Sequence, residues 1–191
     1  MIHLLAKLIY AIAGWKIIGT IPKDIKHCIV LMAPHTSYWD FPIGFLGFAI
    51  LRIKSHSLIK KEAFAFPLNI LVKAMGGVAV DRQHASNVVI SVAHEFQKRE
   101  QFILIIAPEG TRSLNHHWKR GFYNIAMLAK VPIILGYLDY SKKEAGLGDV
   151  FVPTGNYKSD LAIIEAFYHD KMPRFPEKFN LSPLNRKNIN M

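Results

Sequence analysis

Cysteine is nearly absent from this sequence, because Cys28 is the only one among 191 residues. A single cysteine permits no internal disulfide and excludes metal sites that need several cysteine ligands. Cys28 lies inside the apolar run CIVLMA, where we expect a buried, unreactive thiol. A lone reduced thiol fits a protein of the reducing cytosolic side.

Two signatures of catalytic sites are missing as well. The chain has 9 histidines but no H-E-x-x-H spacing, and His116 and His117 fit an exposed surface better than a metal site. It also lacks the G-x-S-x-G turn that presents a nucleophilic serine. The sequence therefore predicts no metal site and no nucleophilic serine of this type, and it favours chemistry assisted by a general base.

The N-terminal segment MIHLLAKLIYAIAGWKIIGTIP lacks an uninterrupted apolar run. Lys7 and Lys16 break it, which argues against a signal peptide and against a membrane-spanning helix. Its apolar residues at helical spacing are Ile2, Leu5, Leu8, Ile9 and Ile12. Two interpretations stay open: an amphipathic helix in the membrane interface, or an ordinary helix docked on the core. We interpret residues 1–21 as an amphipathic, membrane-docking segment.

Acidic residues are scarce, with 14 against 24 basic ones and a formal net charge of +10. Such an excess favours a polyanionic partner: nucleic acid, an anionic membrane surface or a phosphorylated small molecule. A soluble basic protein without such a partner is the alternative. No Lys/Arg run resembles a nucleic-acid-binding arm and no nucleic-acid signature is present, so we expect no nucleic-acid partner.

Hydrophobic residues make up 51% of the chain, enough for the core of a single domain. The predicted strands are 27–34, 56–64, 78–80, 101–108, 132–140 and 150–153. The predicted helices are 40–53, 67–77, 86–100, 119–131 and 156–170. Because the strands are continuously apolar, both faces of the sheet should be covered. The sequence therefore predicts an α/β fold, with a mostly parallel or mixed central sheet flanked by helices on both faces.

Polar segments follow three of the predicted strands. PHTSYWD comes after the first strand, DRQH after the short strand VAV, and PEGTRS after the strand at 101–108. Ligands of such sheets bind where strands end and helices begin. We therefore expect one crevice to collect the three segments.

His35 and Asp40 are candidates for an acid/base pair. Five positions on one helix are roughly 140° apart around the axis, so the two cannot share a helical face. They can meet if His35 precedes a helix and Asp40 lies in its first turn, with Thr36 or Ser37 as the cap and Pro42 near the start. The carboxylate would then fix the imidazole tautomer and leave the other nitrogen free to take a proton. The alternative is an acid in a capping region beside an unrelated loop histidine.

The segment APEGTRS offers several groups for binding an anion. Gly110 lets the backbone approach a ligand closely, and Thr111 adds a hydroxyl. Arg112 suits bidentate binding of phosphate, and Arg82, after the strand VAV, would add a second guanidinium. Glu109 could bond a substrate hydroxyl or hold an arginine. The alternatives are a strand-end turn with a surface ion pair, and a solvated charged edge at Arg82.

Together these patterns resemble the glycerolphosphate acyltransferase superfamily, and within it the bacterial 1-acylglycerol-3-phosphate (lysophosphatidate) acyltransferases. His35 and Asp40 match the H-x4-D block of that family, and GGVAVDR resembles its second block, which places Arg82. Residues 109–112 match the E-G-T-R block, and the apolar run VPIILG at 131–136 resembles the fourth. The order and the spacing agree, and the pairing of H-x4-D with P-E-G-T-R-S is specific.

The resemblance implies a mechanism without an acyl-enzyme, a metal or a cofactor. His35, oriented by Asp40, would remove the proton from a hydroxyl of lysophosphatidate or a related glycerolipid. That oxygen would attack the thioester carbonyl of acyl-CoA or acyl-carrier protein. The residues that the resemblance assigns to substrate binding are Arg82, Glu109, Gly110, Thr111 and Arg112.

The resemblance also implies a location and leaves the acceptor open. Residues 22–191 would form the acyltransferase domain, peripheral or monotopic on the cytoplasmic face of an anionic membrane. The bulky Tyr38 and Trp39 depart from the smaller residues familiar between the paired histidine and aspartate. A different lipid or amino-acid-lipid acceptor, and a non-catalytic phospholipid-binding module on the same fold, are the alternatives.

Overall fold

A computed structural model describes residues 2–65, 68–80 and 85–186, and it confirms the α/β fold. The strands are β1 Lys16–Ile18, β2 His27–Met32, β3 Ser55–Lys60, β4 Gly77–Val80, β5 Phe102–Ile106, β6 Ile133–Asp139 and β7 Glu144–Phe151. The α-helices are α1 Ile2–Ala13, α2 Asp40–Leu51, α3 Leu68–Ala74, α4 Ala85–Lys98, α5 Gly121–Ala129, α6 Tyr157–Tyr168 and α7 Pro183–Arg186. Short 3-10 helices cover Lys61–Phe64 and Pro176–Lys178. Arg82 and the rest of DRQH lie outside the described residues.

The strands form one mixed sheet in the order β1-β7-β6-β2-β5-β3-β4. The five strands from β6 to β4 are parallel to one another, β7 is antiparallel to β6, and β1 runs parallel to β7. In the middle, Val30 of β2 pairs with Ile105 of β5 on one side and with Ile134 of β6 on the other. The carboxyl ends of β5, β2 and β6 therefore lie side by side.

The central strand β2 is buried on both faces. Ile29 and Leu31 belong to a cluster with residues of α4, α5 and α6, whereas Cys28 and Val30 pack with residues that include Phe48 of α2. Burying an aliphatic side chain of this size contributes about 1.5–3 kcal/mol. Burial also raises the pKa of the Cys28 thiol to about 12. The thiol is thus buried and protonated, as its apolar surroundings in the sequence predict.

Strand β7 differs from the predicted strand at 150–153. It begins at Glu144 and forms an antiparallel hairpin with β6. Its glycines made it hard to recognise as a strand from the sequence. These glycines are required sterically, because a Cβ on Gly146 would lie 2.2 Å from the ring of Tyr137, and one on Gly148 would lie 2.5 Å from Phe167. Large rings from β6 and α6 therefore occupy the space that side chains of β7 would need.

Helix α1 packs on α2 along one face and exposes the other. The Tyr10 hydroxyl donates to the carbonyl oxygen of Ile43 at 2.6 Å, and the Tyr10 oxygen would lie 2.9 Å from a Cβ placed on Gly47. The exposed apolar residues of α1 are Ile2, Leu4, Leu5, Leu8, Ile9 and Ile12. Within residues 2–65, 68–80 and 85–186, no helix has both the length and the apolar character needed to cross a membrane.

Strand β1 was not predicted, and it lies within the 1–21 segment. Its residues from Lys16 to Ile18 pair with Glu144 to Gly146 of β7. The sheet therefore begins inside the segment that we interpret as membrane-docking. The division of the chain after residue 21 stays a prediction.

Candidate active site

The site lies where the three central strands end. The segment with His35 and Asp40 follows β2, the segment with Glu109 follows β5, and Tyr140 directly follows β6. Because β2 lies between β5 and β6, the sheet brings these three segments to one edge. This is the edge at which open α/β sheets bind their ligands.

His35 and Asp40 are in contact. The His35 Nδ1 lies 3.2 Å from Asp40 Oδ2, with the imidazole 19% exposed and the carboxyl group 3% exposed. His35 precedes α2, and Asp40 is the first residue of that helix. The contact uses Nδ1, so Nε2 is the ring nitrogen available to a substrate proton.

Asp40 accepts hydrogen bonds on both carboxylate oxygens. Its Oδ2 accepts from the backbone amides of Thr36 and Ser37, each at 2.9 Å, in addition to facing His35. Its Oδ1 accepts from the Tyr140 hydroxyl at 2.6 Å. The carboxylate is thus held in one orientation from four directions.

The prediction that Thr36 or Ser37 caps α2 is wrong. The residue at the cap position is Trp39, and its side chain makes no capping hydrogen bond. The Ser37 hydroxyl accepts from the Trp39 amide at 3.1 Å, while Asp40 turns back to accept from the loop amides. The aspartate that faces the histidine therefore also organises the turn before the helix.

The environment of Asp40 favours its ionised form. Burial raises the pKa of the carboxyl group, but the hydrogen bonds from His35 and Tyr140 and the Ser37 amide lower it, and the net shift is downward. A carboxylate that accepts several hydrogen bonds remains charged despite burial. Asp40 can therefore stabilise an imidazolium on His35.

Glu109 lies against the backbone of His35. It is 2% exposed, its Oε1 accepts from the His35 amide at 3.0 Å, and its carbonyl oxygen accepts from Asn115 at 2.9 Å. Burial raises the pKa of its carboxyl group to about 7. Within the described part of the chain, its buried Oε2 has no hydrogen-bond partner. A direct bond from Glu109 to substrate or to an arginine stays a prediction.

The turn after β5 depends on Gly110. Its φ is +67°, a conformation that favours glycine, and a Cβ there would lie 2.7 Å from the Lys119 side chain. The Thr111 hydroxyl accepts from the Ser113 amide at 3.2 Å. The turn therefore places Lys119 beside the predicted binding segment. This lysine was not among the residues predicted from the sequence.

Tyr38 and Trp39 are exposed, at 79% and 57%, and each lies beneath an arginine. The Arg112 guanidinium carbon is 4.2 Å from the centre of the Tyr38 ring, and that of Arg174 is 5.7 Å from the centre of the Trp39 ring. The Phe175 amide donates to the Thr36 hydroxyl at 3.3 Å, which ties the Arg174 segment to the loop. Two aromatic rings of the segment between His35 and Asp40 thus contact two guanidinium groups.

Three residues at this edge were missed from the sequence: Lys119, Tyr140 and Arg174. Tyr140 could have been found from the sequence, because it is the last residue of the predicted strand 132–140. For Arg174 the sequence offered no such indication, since it lies in an irregular segment between Pro173 and Pro176.

A family model described as Acyltransferase matches residues 16–135, well over half of the chain. The chain belongs to the acyltransferase family. The matched range includes the H-x4-D segment that begins at His35 and the E-G-T-R segment that ends at Arg112. The resemblance described from these motifs is confirmed, and the protein is an enzyme that transfers acyl groups.

The fold of this acyltransferase is similar to that of a solved structure. The crystal structure of the 1-acyl-sn-glycerophosphate (LPA) acyltransferase PlsC from Thermotoga maritima matches it with a TM-score of 0.60 and 20% sequence identity. The match covers 87% of this acyltransferase and 74% of the Thermotoga chain. No curated protein sequence matches the chain significantly. At this identity the likeness shows that the two proteins share a fold.

Proposed function

We propose that this acyltransferase moves a fatty acyl group from an acyl thioester to a hydroxyl of lysophosphatidate or a related glycerolipid. The observation that carries the proposal is the contact between His35 and a buried, ionised Asp40 at the ligand-binding edge of the sheet. The acyltransferase family and the fold shared with a 1-acyl-sn-glycerophosphate acyltransferase support it.

The chemistry follows from the free ring nitrogen of His35. Nε2 takes the proton of the acceptor hydroxyl as its oxygen attacks the thioester carbonyl. The new C–O bond forms, the C–S bond breaks, and the imidazolium returns the proton to the leaving thiolate. Asp40 stabilises the imidazolium between these steps. The acyl group passes directly from thiol to hydroxyl, and the donor is acyl-CoA or acyl-carrier protein.

Basic side chains beside the pair would bind the acceptor's phosphate. Arg112 and Arg174 lie over aromatic rings, an arrangement that leaves guanidinium N–H groups free to bond phosphate oxygens. Lys119 adds an ammonium group beside Gly110, whose backbone is exposed. We also assign Arg82 and Thr111 to substrate binding, because they belong to the sequence motifs described above. The acceptor class is therefore expected to be anionic.

Helix α1 would dock the enzyme on the membrane. Its exposed face bears six large aliphatic residues, while the opposite face packs on α2. Such a helix can bury its apolar face in the interface without crossing the bilayer, and the net charge of +10 suits anionic lipids. We place the enzyme on the cytoplasmic face, as a peripheral or monotopic protein, because acyl thioesters are available there.

The test is an acyl-transfer assay on the full chain, using labelled acyl-CoA or acyl-carrier protein in turn. The acceptors are lysophosphatidate, other lysophospholipids, monoacylglycerol and amino-acid lipids. Replacing the base, His35→Ala, should lower transfer by at least about a hundredfold. His94→Ala serves as the control, because His94 is an exposed histidine on α4. Undiminished transfer by His35→Ala would exclude the mechanism, and phospholipid binding without turnover would favour a non-catalytic module.

A further inference from the structure

The two oxygens of Asp40 have separate partners. Oδ2 faces His35 Nδ1 at 3.2 Å and accepts from two loop amides, whereas Oδ1 accepts from the Tyr140 hydroxyl at 2.6 Å. The hydroxyl belongs to the residue that follows β6, and the carboxylate to the helix that follows β2. The contact therefore joins the ends of two neighbouring parallel strands through the carboxylate that serves the base.

Tyr140 is itself held in place. Its backbone amide donates to the Met172 carbonyl at 2.8 Å, and its ring meets the edge of Trp15 with centres 5.1 Å apart and planes at 88°. Burial and the neighbouring Asp40 raise the pKa of its hydroxyl above the ordinary value. The phenol therefore remains protonated and donates to the carboxylate at every pH at which the enzyme would work.

We propose that Tyr140 is a positioning residue for the base: its hydroxyl fixes the rotation of the Asp40 carboxylate so that Oδ2 stays aligned with His35 Nδ1. The role rests on the proposed function. Without the hydroxyl, Oδ1 loses the one donor that it has among the described residues, and it is left as a buried acceptor because the carboxyl group is only 3% exposed. Rotation of the carboxylate towards other donors then becomes energetically favourable. The tautomer and the orientation of the His35 ring are no longer fixed.

The ionisable groups around the pair set the direction of the expected pH effect. Asp40 faces His35 and Tyr140, while the charge of Glu109 acts on Asp40 and that of Arg174 acts on Tyr140. The Tyr140 hydrogen bond is one of the contacts that lower the pKa of Asp40. Removing it makes the carboxylate bind a proton at a higher pH. The acidic limb of the pH profile should therefore move to higher pH when the Tyr140 hydroxyl is removed. Glu109 and Arg174 are unchanged by that removal, so they do not account for the shift.

The test compares Tyr140→Phe with the unchanged enzyme in the full chain. Phenylalanine keeps the ring against Trp15 and removes only the hydroxyl. We expect kcat to fall about 10- to 100-fold, the loss of a hydrogen bond to a charged group, with KM for both substrates nearly unchanged. The acidic limb of kcat/KM should move to higher pH. An unchanged kcat and an unchanged acidic limb would overturn the proposal.

The matched control is Tyr123→Phe. The Tyr123 hydroxyl also donates to a buried carboxylate at 2.6 Å, that of Asp160, but this pair lies outside the site. Both variants should lose some thermal stability, and only Tyr140→Phe should change kcat and the pH profile. If both variants change kcat equally, the effect is one of stability and the proposal fails.

A second measurement does not depend on turnover. In ¹⁵N-labelled protein, the proton on His35 Nδ1 should give a downfield signal that weakens in Tyr140→Phe and persists in Tyr123→Phe. A signal unchanged in both variants would contradict the positioning role. Failure of the proposed function can be distinguished from failure of this inference, because it would appear as full activity in His35→Ala.

Discussion

The Arg112 guanidinium lies over the Tyr38 ring at 4.2 Å, and this cation–π contact joins the segment after β5 to the segment after β2. The contact explains one role of the bulky Tyr38 inside the H-x4-D block. Tyr38 lies under the Arg112 guanidinium, and Trp39 lies under that of Arg174 at 5.7 Å.

Replacing Tyr38 with alanine should raise KM for a phosphate-bearing acceptor and leave kcat nearly unchanged. An exposed cation–π contact contributes about 0.5–1 kcal/mol, so KM should rise about two- to fivefold. Initial rates at varied lysophosphatidate measure this. Tyr38→Phe retains the ring and should behave like the unchanged enzyme. A fall in kcat at constant KM would show instead that Tyr38 acts in the chemical step.

Removing the charge of Arg174 should weaken binding of the acceptor. Because the side chain is exposed, Arg174→Gln should raise KM for lysophosphatidate only about two- to fivefold, and Arg174→Lys should restore part of the loss. Monoacylglycerol, which lacks the phosphate, should show no change. Arg99→Gln is the control, because Arg99 lies over Phe102 at the opposite end of β5. An equal effect on both acceptors would argue against phosphate binding.

Stability should depend on pH through Glu109. Its pKa in the folded protein is about 7, above its ordinary value of 4.5, so folding favours the protonated form. The contribution is fully present below pH 4.5 and is lost as the pH rises towards 7, by at most about 3 kcal/mol. Glu109→Gln cannot ionise, so its stability relative to the unchanged protein should increase between pH 5 and pH 8.

Denaturant unfolding at the two pH values measures this difference. Glu100→Gln is the matched control, because Glu100 is highly exposed. A constant stability difference between Glu109→Gln and the unchanged protein at both pH values would mean that Glu109 does not titrate in this range.

Charges placed on the exposed face of α1 should release the enzyme from lipid. Leu8→Glu and Ile12→Glu should reduce sedimentation with phosphatidylglycerol vesicles by about tenfold or more, because they remove apolar area and add repulsion. The melting temperature should change little, since both side chains are exposed. Lys73→Gln, on the separate helix α3, lowers the net charge by the same one unit and controls for the change in charge. Unchanged sedimentation of the α1 variants would place the membrane contact elsewhere.

The parts of the site that were predictable are those separated by few residues. His35 and Asp40 are five positions apart and follow a buried strand, so helix geometry alone restricts how they can meet. Glu109 was singled out by its motif, but its bond to the His35 amide depends on β5 lying beside β2. Tyr140 reaches Asp40 across 100 residues of chain, and the adjacency of β6 and β2 decides that contact.

The fold shows the same division between local and long-range information. Continuous apolar runs identify β2, β5 and β6, because burial on both faces requires them. The part of strand β7 before residue 150 escaped prediction because its glycines accommodate Tyr137 and Phe167, which come from other elements. Strand β1 has only three residues and is a strand because β7 provides its partner.

The loop between β2 and α2 has a consequence for amide exchange. Three consecutive amides, those of His35, Thr36 and Ser37, donate to the buried carboxylates of Glu109 and Asp40. Loop amides normally exchange with solvent deuterium quickly, since they lack the protection of a helix or a strand. Here we expect all three to exchange as slowly as amides of regular secondary structure. The loop that carries His35 would then belong to the slow-exchanging core of the protein, although it has no regular secondary structure.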